Sequence, residues 1–344
     1  MKHMNRNIGI AGIVLACAIT AGTATAQTSF KGYQAAEWAK VTAEARREGR
    51  VAIYSQAVPS IMQRVKADFE KNNPGIVLEV QRPIPLVAAV DREILTGSDG
   101  ADVVINVDPN WTIERARKNE LIAPSGTATQ GWPDRYVVAN TAPILAMEAF
   151  IILYNANLVK GPVTGYDDLL RPEFTGQLAI PEINAPLLFA FYDWLEQTKG
   201  TSYLQRVASQ KPRIFASAVQ STQGISAGEL TGSILGVAAL VVPLAKQGSP
   251  IRMTLPNPSV GFPYPGMVLA RSKRRNASLV FMDYVMSRQG QTAWAAEGEI
   301  ASPLPNIPKS MDANTITYLN QDKFTPPEVT NAFRTKWNAV FAKP

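Results

Sequence analysis

The chain has 344 residues, 46% of them hydrophobic, with 34 basic residues against 28 acidic ones, one cysteine and one histidine. That length supports two packed lobes of about 150 residues each. The charge is small and scattered: only Arg271-Ser272-Lys273-Arg274-Arg275 clusters, with no aromatic residue interleaved, which argues against nucleic-acid binding.

The first 26 residues read as a secretory signal. Lys2 and Arg6 make a positive start, residues 8–18 are apolar, and Ala24-Thr25-Ala26 is a small-residue cleavage site. Residues 14–17, Val-Leu-Ala-Cys, resemble a lipoprotein processing box, but Leu15 is uncommon there, so cleavage after Ala26 is preferred over lipid attachment at Cys17. The expected location is the periplasm. Cleavage would remove both His3 and Cys17, leaving no disulfide, thiolate site or imidazole, and 32 basic residues against 28 acidic ones.

The spacing predicts an amphipathic helix over 35–49, a strand over 50–55, a helix over 59–72 with Ile61, Val65 and Phe69 on one face, and a strand over 75–80. A helix over 87–96 and a strand over 102–107 follow. This alternation calls for a parallel, doubly wound sheet. Residues 147–154 read as a strand crossing into a second lobe. There a short turn over 166–170 is stopped by Pro172, and a strand over 177–180 ends at Pro181. The apolar run 234–245, containing Gly236 and Pro243, is too short to span a membrane and reads as a buried strand over 235–242. A second crossing is expected over 261–270, then helices over 276–287, 289–297 and 328–341.

Gly224-Ile225-Ser226-Ala227-Gly228 fits the G-x-S-x-G pattern of a nucleophile elbow. A serine nucleophile needs a base, usually histidine, and the processed chain would have none. The pattern is read as a loop of small residues. No phosphate loop, dinucleotide fingerprint or H-E-x-x-H is present, and Asp167-Asp168 is explained by capping of a turn.

Residues 152–182, Ile-Leu-Tyr-Asn-Ala-Asn-Leu-Val-Lys-Gly-Pro-Val-Thr-Gly-Tyr-Asp-Asp-Leu-Leu-Arg-Pro-Glu-Phe-Thr-Gly-Gln-Leu-Ala-Ile-Pro-Glu, closely resemble the start of the second lobe in bacterial solute-binding proteins of the iron(III)/polyamine type. The stretches 44–55, 69–80, 100–104 and 277–291 are similar to other parts of that family, so the resemblance spans most of residues 35–300. It implies a two-lobed α/β fold of the type II periplasmic binding class, each lobe a mainly parallel sheet flanked by helices. Residues 27–146 and 266–344 would form lobe 1, and 147–265 lobe 2 with a hinge strand at each end. It also implies capture of a small-molecule ligand and delivery to an inner-membrane ABC permease with its ATPase, by a monomer without cofactor or catalytic residues.

Ligands of open parallel sheets sit beyond the carboxyl ends of strands, near helix N-termini. Four loops qualify, and the resemblance implies that they converge on one cleft. The first supplies Ser55, Gln56 and Ser60. The second supplies Asp108, Asn110 and Trp111, whose ring offers a flat apolar wall. Glu182 and Asn184 come from the third, and Gln220, Ser221 and Thr222 from the fourth, placed ahead of a helix beginning near Ser226. The iron-binding members hold ferric iron with paired tyrosines after the strand that matches 235–242, often with a histidine and a glutamate. Here that strand carries no tyrosine, and the first-lobe loop reads Arg82-Pro83-Ile84-Pro85-Leu86. No bound metal is expected, although iron held with a synergistic anion remains a residual reading. Arg82 is either a surface residue or an anion clamp. The expected ligand is an organic anion with an apolar or aromatic body and a carboxylate, phosphonate or sulfonate head. Rival readings are a ligand-presenting sensor subunit and an exported carboxylate-dependent hydrolase.

Overall fold

In the computed structural model the described residues are Phe30 and 34–341; the signal and lipid-attachment expectations lie outside them. In chain order the elements are α1 (Ala35–Glu48), β1 (Arg50–Ser55), α2 (Pro59–Asn72), β2 (Val77–Gln81), α3 (Leu86–Thr96), β3 (Val103–Ile105), α4 (Pro109–Arg117), β4 (Leu121–Ile122), β5 (Val137–Val138), β6 (Ala142–Ala149), β7 (Ile151–Asn155) and β8 (Leu178–Pro181). They continue as α5 (Pro186–Lys199), α6 (Tyr203–Ser209), β9 (Arg213–Phe215), α7 (Ala218–Ala227), β10 (Gly232–Gly236), α8 (Ala238–Lys246), β11 (Ile251–Thr254), β12 (Ser259–Leu269), α9 (Arg275–Met286), α10 (Arg288–Trp294), β13 (Ala301–Ser302), β14 (Met311–Asp312), β15 (Ile316–Tyr318) and α11 (Pro327–Phe341).

Two sheets form. The first has ten strands along the path β14-β13-β6-β12-β3-β1-β2, with β15 and β4 beside β12 and β5 beside β6. The second has five, β11-β7-β10-β8-β9. The predicted β1–β2–β3 unit is parallel. Its first helix ends where Gly49 takes a left-handed conformation, φ 72°, which a residue without Cβ adopts at little cost.

Two connections join the sheets. β6 passes through Phe150 directly into β7, and β11 leads into β12, all eleven residues of which are buried. β6 and β12 pair antiparallel, with a register shift at Tyr264/Pro265; the prolines at 263 and 265 cannot donate to the ladder, which suits an irregular stretch. The strands approach closely because residue 261 is glycine. A Cβ there would stand 2.1 Å from the Glu148 carbonyl oxygen.

The run over 235–242 departs from expectation. It is not one strand: β10 ends at Gly236, and α8 begins at Ala238 with Pro243 inside it. An unbroken apolar run carries no alternation by which strand and buried helix could be told apart. The C-terminal helix also differs from its expected place with lobe 1, because α11 packs on helices that flank the second sheet. Tyr192 and Trp337 meet edge-on at 5.8 Å, as do Phe189 and Phe333 at 5.9 Å, and Lys336 pairs with Glu196 at 2.6 Å. No helix among the described residues is long and apolar enough to cross a membrane.

Candidate functional site

Strand direction defines the cleft. β7 leaves the first sheet, and β10 is antiparallel to it, so β10 and its parallel neighbours β8 and β9 run back toward the first lobe. β12 enters from the second lobe and is antiparallel to β3, so β3, β1 and β2 run toward that lobe. The carboxyl ends of both parallel groups therefore face one another across the hinge, as binding in open α/β sheets requires.

The first loop is tied to the second. Gln56 donates its N–H to Ile105 O (2.9 Å) and accepts from Val107 N–H at Oε1 (2.9 Å). Ser55, buried, accepts from Ala57 N–H at 3.1 Å. Ser60 stands half-buried in the first turn of α2, which no side chain caps. Ser55 and Arg82 line a common cavity of about 360 Å³ with Pro59, Met62 and Lys66. Lys66 is engaged by Glu70 and Leu78 O, whereas Arg82 is exposed and has no hydrogen-bonded or ion-paired partner among the described residues.

The second loop serves the fold. Asp108 caps α4, accepting from Asn110 N–H (3.0 Å) and Trp111 N–H (3.1 Å). Trp111 is a correction to the expectation of an apolar wall. Its ring is 7% exposed and packs with Tyr54, Leu86 and Val90, while Nε1 donates to Asp91 Oδ1 at 2.9 Å. Asn110 donates to Asp322 Oδ1 at 2.6 Å and borders another cavity, of about 670 Å³, with Met147 and Pro263. Because side chains alternate along a strand, that cavity lies on the face of β6 and β12 opposite Glu148 and Tyr264.

In the second lobe, Glu182 and Asn184 occupy an exposed loop between β8 and α5 as predicted; Glu182 N–H is held by Phe215 O (2.9 Å) and Asn184 Nδ2 donates to Ala216 O (3.3 Å). The fourth loop is a second correction. Residues 220–223 lie inside α7, which starts at Ala218 and is capped by the Ser217 hydroxyl. Gln220 is exposed, but Ser221 and Thr222 are buried and turn their hydroxyls back to Ala218 O at 3.1 and 2.7 Å. Ser226 sits near the end of that helix and shares a hydrogen bond of 2.8 Å with Ser249.

The sequence reading missed a polar cluster on the hinge. Glu148 of β6 is buried; its Oε2 accepts from the Tyr264 hydroxyl of β12, and its Oε1 has no partner. Tyr264 lies 6.4 Å from the Trp294 ring, whose Nε1 is also unpaired. Arg64 of α2 donates to Trp294 O at 3.2 Å and to Glu299 Oε1. Glu299 is buried with Oε2 unpaired. Burial pushes the Glu148 carboxyl up to about 7; the Tyr264 bond and the Arg82 charge pull it down, and the negative charge of Glu299 pushes it up. The signal was there to read: Glu148 is the one charge in the otherwise apolar stretch 142–153.

A family model described as bacterial extracellular solute-binding protein matches residues 51–298. The chain belongs to this family. Its solute-binding fold is that of two-lobed periplasmic binding proteins. A substrate-binding protein of an ABC transporter from Agrobacterium tumefaciens superposes with a TM-score of 0.71 at 15% identity, covering 87% of this chain and 97% of that one. AfuA from Actinobacillus pleuropneumoniae, with exogenous fructose-6-phosphate bound, gives 0.64 at 16% identity over 86% and 99%. Iron-bound HitA from Pseudomonas aeruginosa gives 0.60 at 15% identity over 77% and 89%. Among curated proteins no sequence relative matches. Within this solute-binding protein, the first turn of α8, at the place expected for the paired tyrosines, is Ala238-Ala239-Leu240-Val241, with no side-chain oxygen. Among the described residues no group of three or more His, Cys, Asp or Glu is arranged to hold a metal ion.

Proposed function

We propose that the protein captures a small organic anion between its lobes and passes it unchanged to an inner-membrane ABC permease driven by its ATPase. The observation that carries the anion reading is Arg82: an exposed guanidinium without a carboxylate partner, on the loop after β2, bordering a cavity shared with Ser55. A planar fork of five donors matches carboxylate and phosphate geometry. Ser60 at the N-terminus of α2 adds the favourable end of a helix dipole. Glu182 and Asn184, exposed on the facing lobe, are available to read the rest of the solute. Export to the periplasm belongs to the same reading.

Thermal-shift measurements with carboxylates, phosphates, phosphonates and sulfonates test this, since a ligand that binds only the folded state stabilises it by about 2.7 kcal/mol at a hundredfold excess over Kd. The expected result is a raised Tm with one class of anion, abolished in Arg82→Met. A Tm raised only by cations such as putrescine overturns the reading, as does turnover of the bound anion.

A further inference from the structure

Five residues on and beside the hinge strands form a line of contacts whose two ends, Glu148 and Glu299, act on one another through charge. Glu148 accepts from the Tyr264 hydroxyl, the Tyr264 ring meets Trp294, Arg64 joins the Trp294 carbonyl to Glu299, and the charge of Glu299 acts back on Glu148. Three side-chain atoms of this line are buried and unpaired: Glu148 Oε1, Glu299 Oε2 and Trp294 Nε1. The residues carrying them are 1%, 2% and 0% exposed. Buried polar groups usually find a partner in protein, water or ligand, and three in one cluster make a place where a polar occupant would be held.

Two of the five residues lie at the crossing between the lobes. Glu148 and Tyr264 stand on the two strands that join the lobes, close to the crossing at Phe150. Glu297, two residues before Glu299, is ion-paired with Lys246 of α8 on the second lobe. Separation of the lobes breaks that pair beside the cluster.

We propose that Glu148, Glu299 and Trp294 form a subsite for the hydroxyl groups of the solute, so that the cargo is a polyhydroxylated organic anion of the sugar-phosphate or sugar-acid class. This rests on the reading of Arg82 as the anion clamp. The donor and acceptor set selects the class. The Glu299 oxygen needs a donor, the indole N–H needs an acceptor, and the Glu148 carboxyl, pushed up to about 7, accepts when ionised and can donate when protonated. A hydroxyl gives and receives at once, so vicinal hydroxyls can meet all three atoms. An ammonium would serve the carboxylates but leave the indole N–H facing a positive charge. A second anionic head would be repelled by Glu299 and by Glu148 whenever that carboxyl is ionised.

The test uses the full processed chain and isothermal titration with sugar phosphates and sugar acids of three to seven carbons, inorganic phosphate, the neutral parent polyols, and putrescine. Glu148→Gln and Glu299→Gln keep side-chain size, and Trp294→Phe keeps a buried aromatic ring while removing the N–H; if a glutamate variant fails to fold, Trp294→Phe, checked for folding by its thermal midpoint, carries the test. The expected result is that one hydroxylated anion binds at least tenfold tighter than inorganic phosphate, and that each variant erases most of that preference while phosphate affinity holds. Variants that leave the preference intact overturn the proposal, as does putrescine as the best ligand, or no binding across the panel. If only neutral polyols bind, and Trp294→Phe weakens them, the hydroxyl subsite stands and the anion reading fails. A ligand-bound crystal structure in which ordered water, rather than solute hydroxyls, meets the three atoms also overturns it.

Discussion

At the scale of single residues, Trp111 and Glu148 exchange the roles that their neighbourhoods in the chain suggest. Trp111 follows a strand and opens a helix, a position where an aromatic ring often meets ligand, but three-dimensional packing puts it among Tyr54, Leu86 and Val90 with its indole N–H on Asp91. Those partners come from separate elements, and no local pattern reveals them. Trp111→Ala is therefore expected to lower stability by about 3–5 kcal/mol, as large-to-small core changes do, with little change in the affinity of the folded fraction. Urea denaturation and titration calorimetry on the same sample separate the two effects. Glu148 makes a pH prediction. Its carboxyl rises from an ordinary 4.5 to about 7 in the folded protein, so the folded state holds this proton more tightly than the unfolded chain. The stabilising contribution is then complete below about 4.5 and is lost as pH rises through about 7. The 2.5-unit difference corresponds to roughly 3 kcal/mol. Urea melts at pH 5 and pH 8 should show wild type losing stability relative to Glu148→Gln; parallel profiles for the two proteins would remove the buried titration.

At the scale of elements, the chain announced its first lobe well and its second lobe unevenly, for a physical reason. The helices α1 and α2 have one apolar face, and their ends are marked by Gly49 and Pro59; such amphipathic periods and stops are local properties. The stretch around β10 and α8 is apolar throughout, with the break at Gly236-Val237 hidden inside it. The same ambiguity displaced α7. Its cap is Ser217, whose hydroxyl accepts from Val219 N–H at 3.2 Å, while Gly224 and Gly228 suggested a loop further on. Gly228 is in fact the left-handed C-terminal stop, φ 82°. Reading the helix eight residues late turned Ser221 and Thr222 into loop residues, when both hydroxyls are consumed by the helix backbone. The loops carrying Arg82 and Glu182 were legible because the short strands before them, β2 and β8, end in proline-rich or polar turns.

At the scale of the whole molecule, the lobes are joined by more than the two crossings. The segment after β15 carries Lys323 to Asp193 of α5 at 2.7 Å and then delivers α11 onto α5 and α6. Rings run from Phe191 of α5 through Phe150 and Phe262 to Tyr264, each pair about 5.5 Å apart or less. Phe150, Phe262 and Tyr264 lie on the hinge strands and their crossing, where a rotation moves atoms least. The Lys246–Glu297 pair is different, because it links α8 of the second lobe to the segment after α10 in the first. Lys246 is 60% exposed, so the pair is worth no more than about 1 kcal/mol. In a chain of this length that shifts the thermal midpoint by no more than about 2 °C, but it changes an open-to-closed ratio about fivefold. Lys246→Met is accordingly expected to leave the thermal midpoint nearly unchanged and to enlarge the radius of gyration of the ligand-free protein in small-angle scattering. Glu297→Gln should do the same, and the double variant no more than either alone, since both single changes break one contact. Additive expansion in the double variant would show that the two side chains restrain the lobes through separate partners.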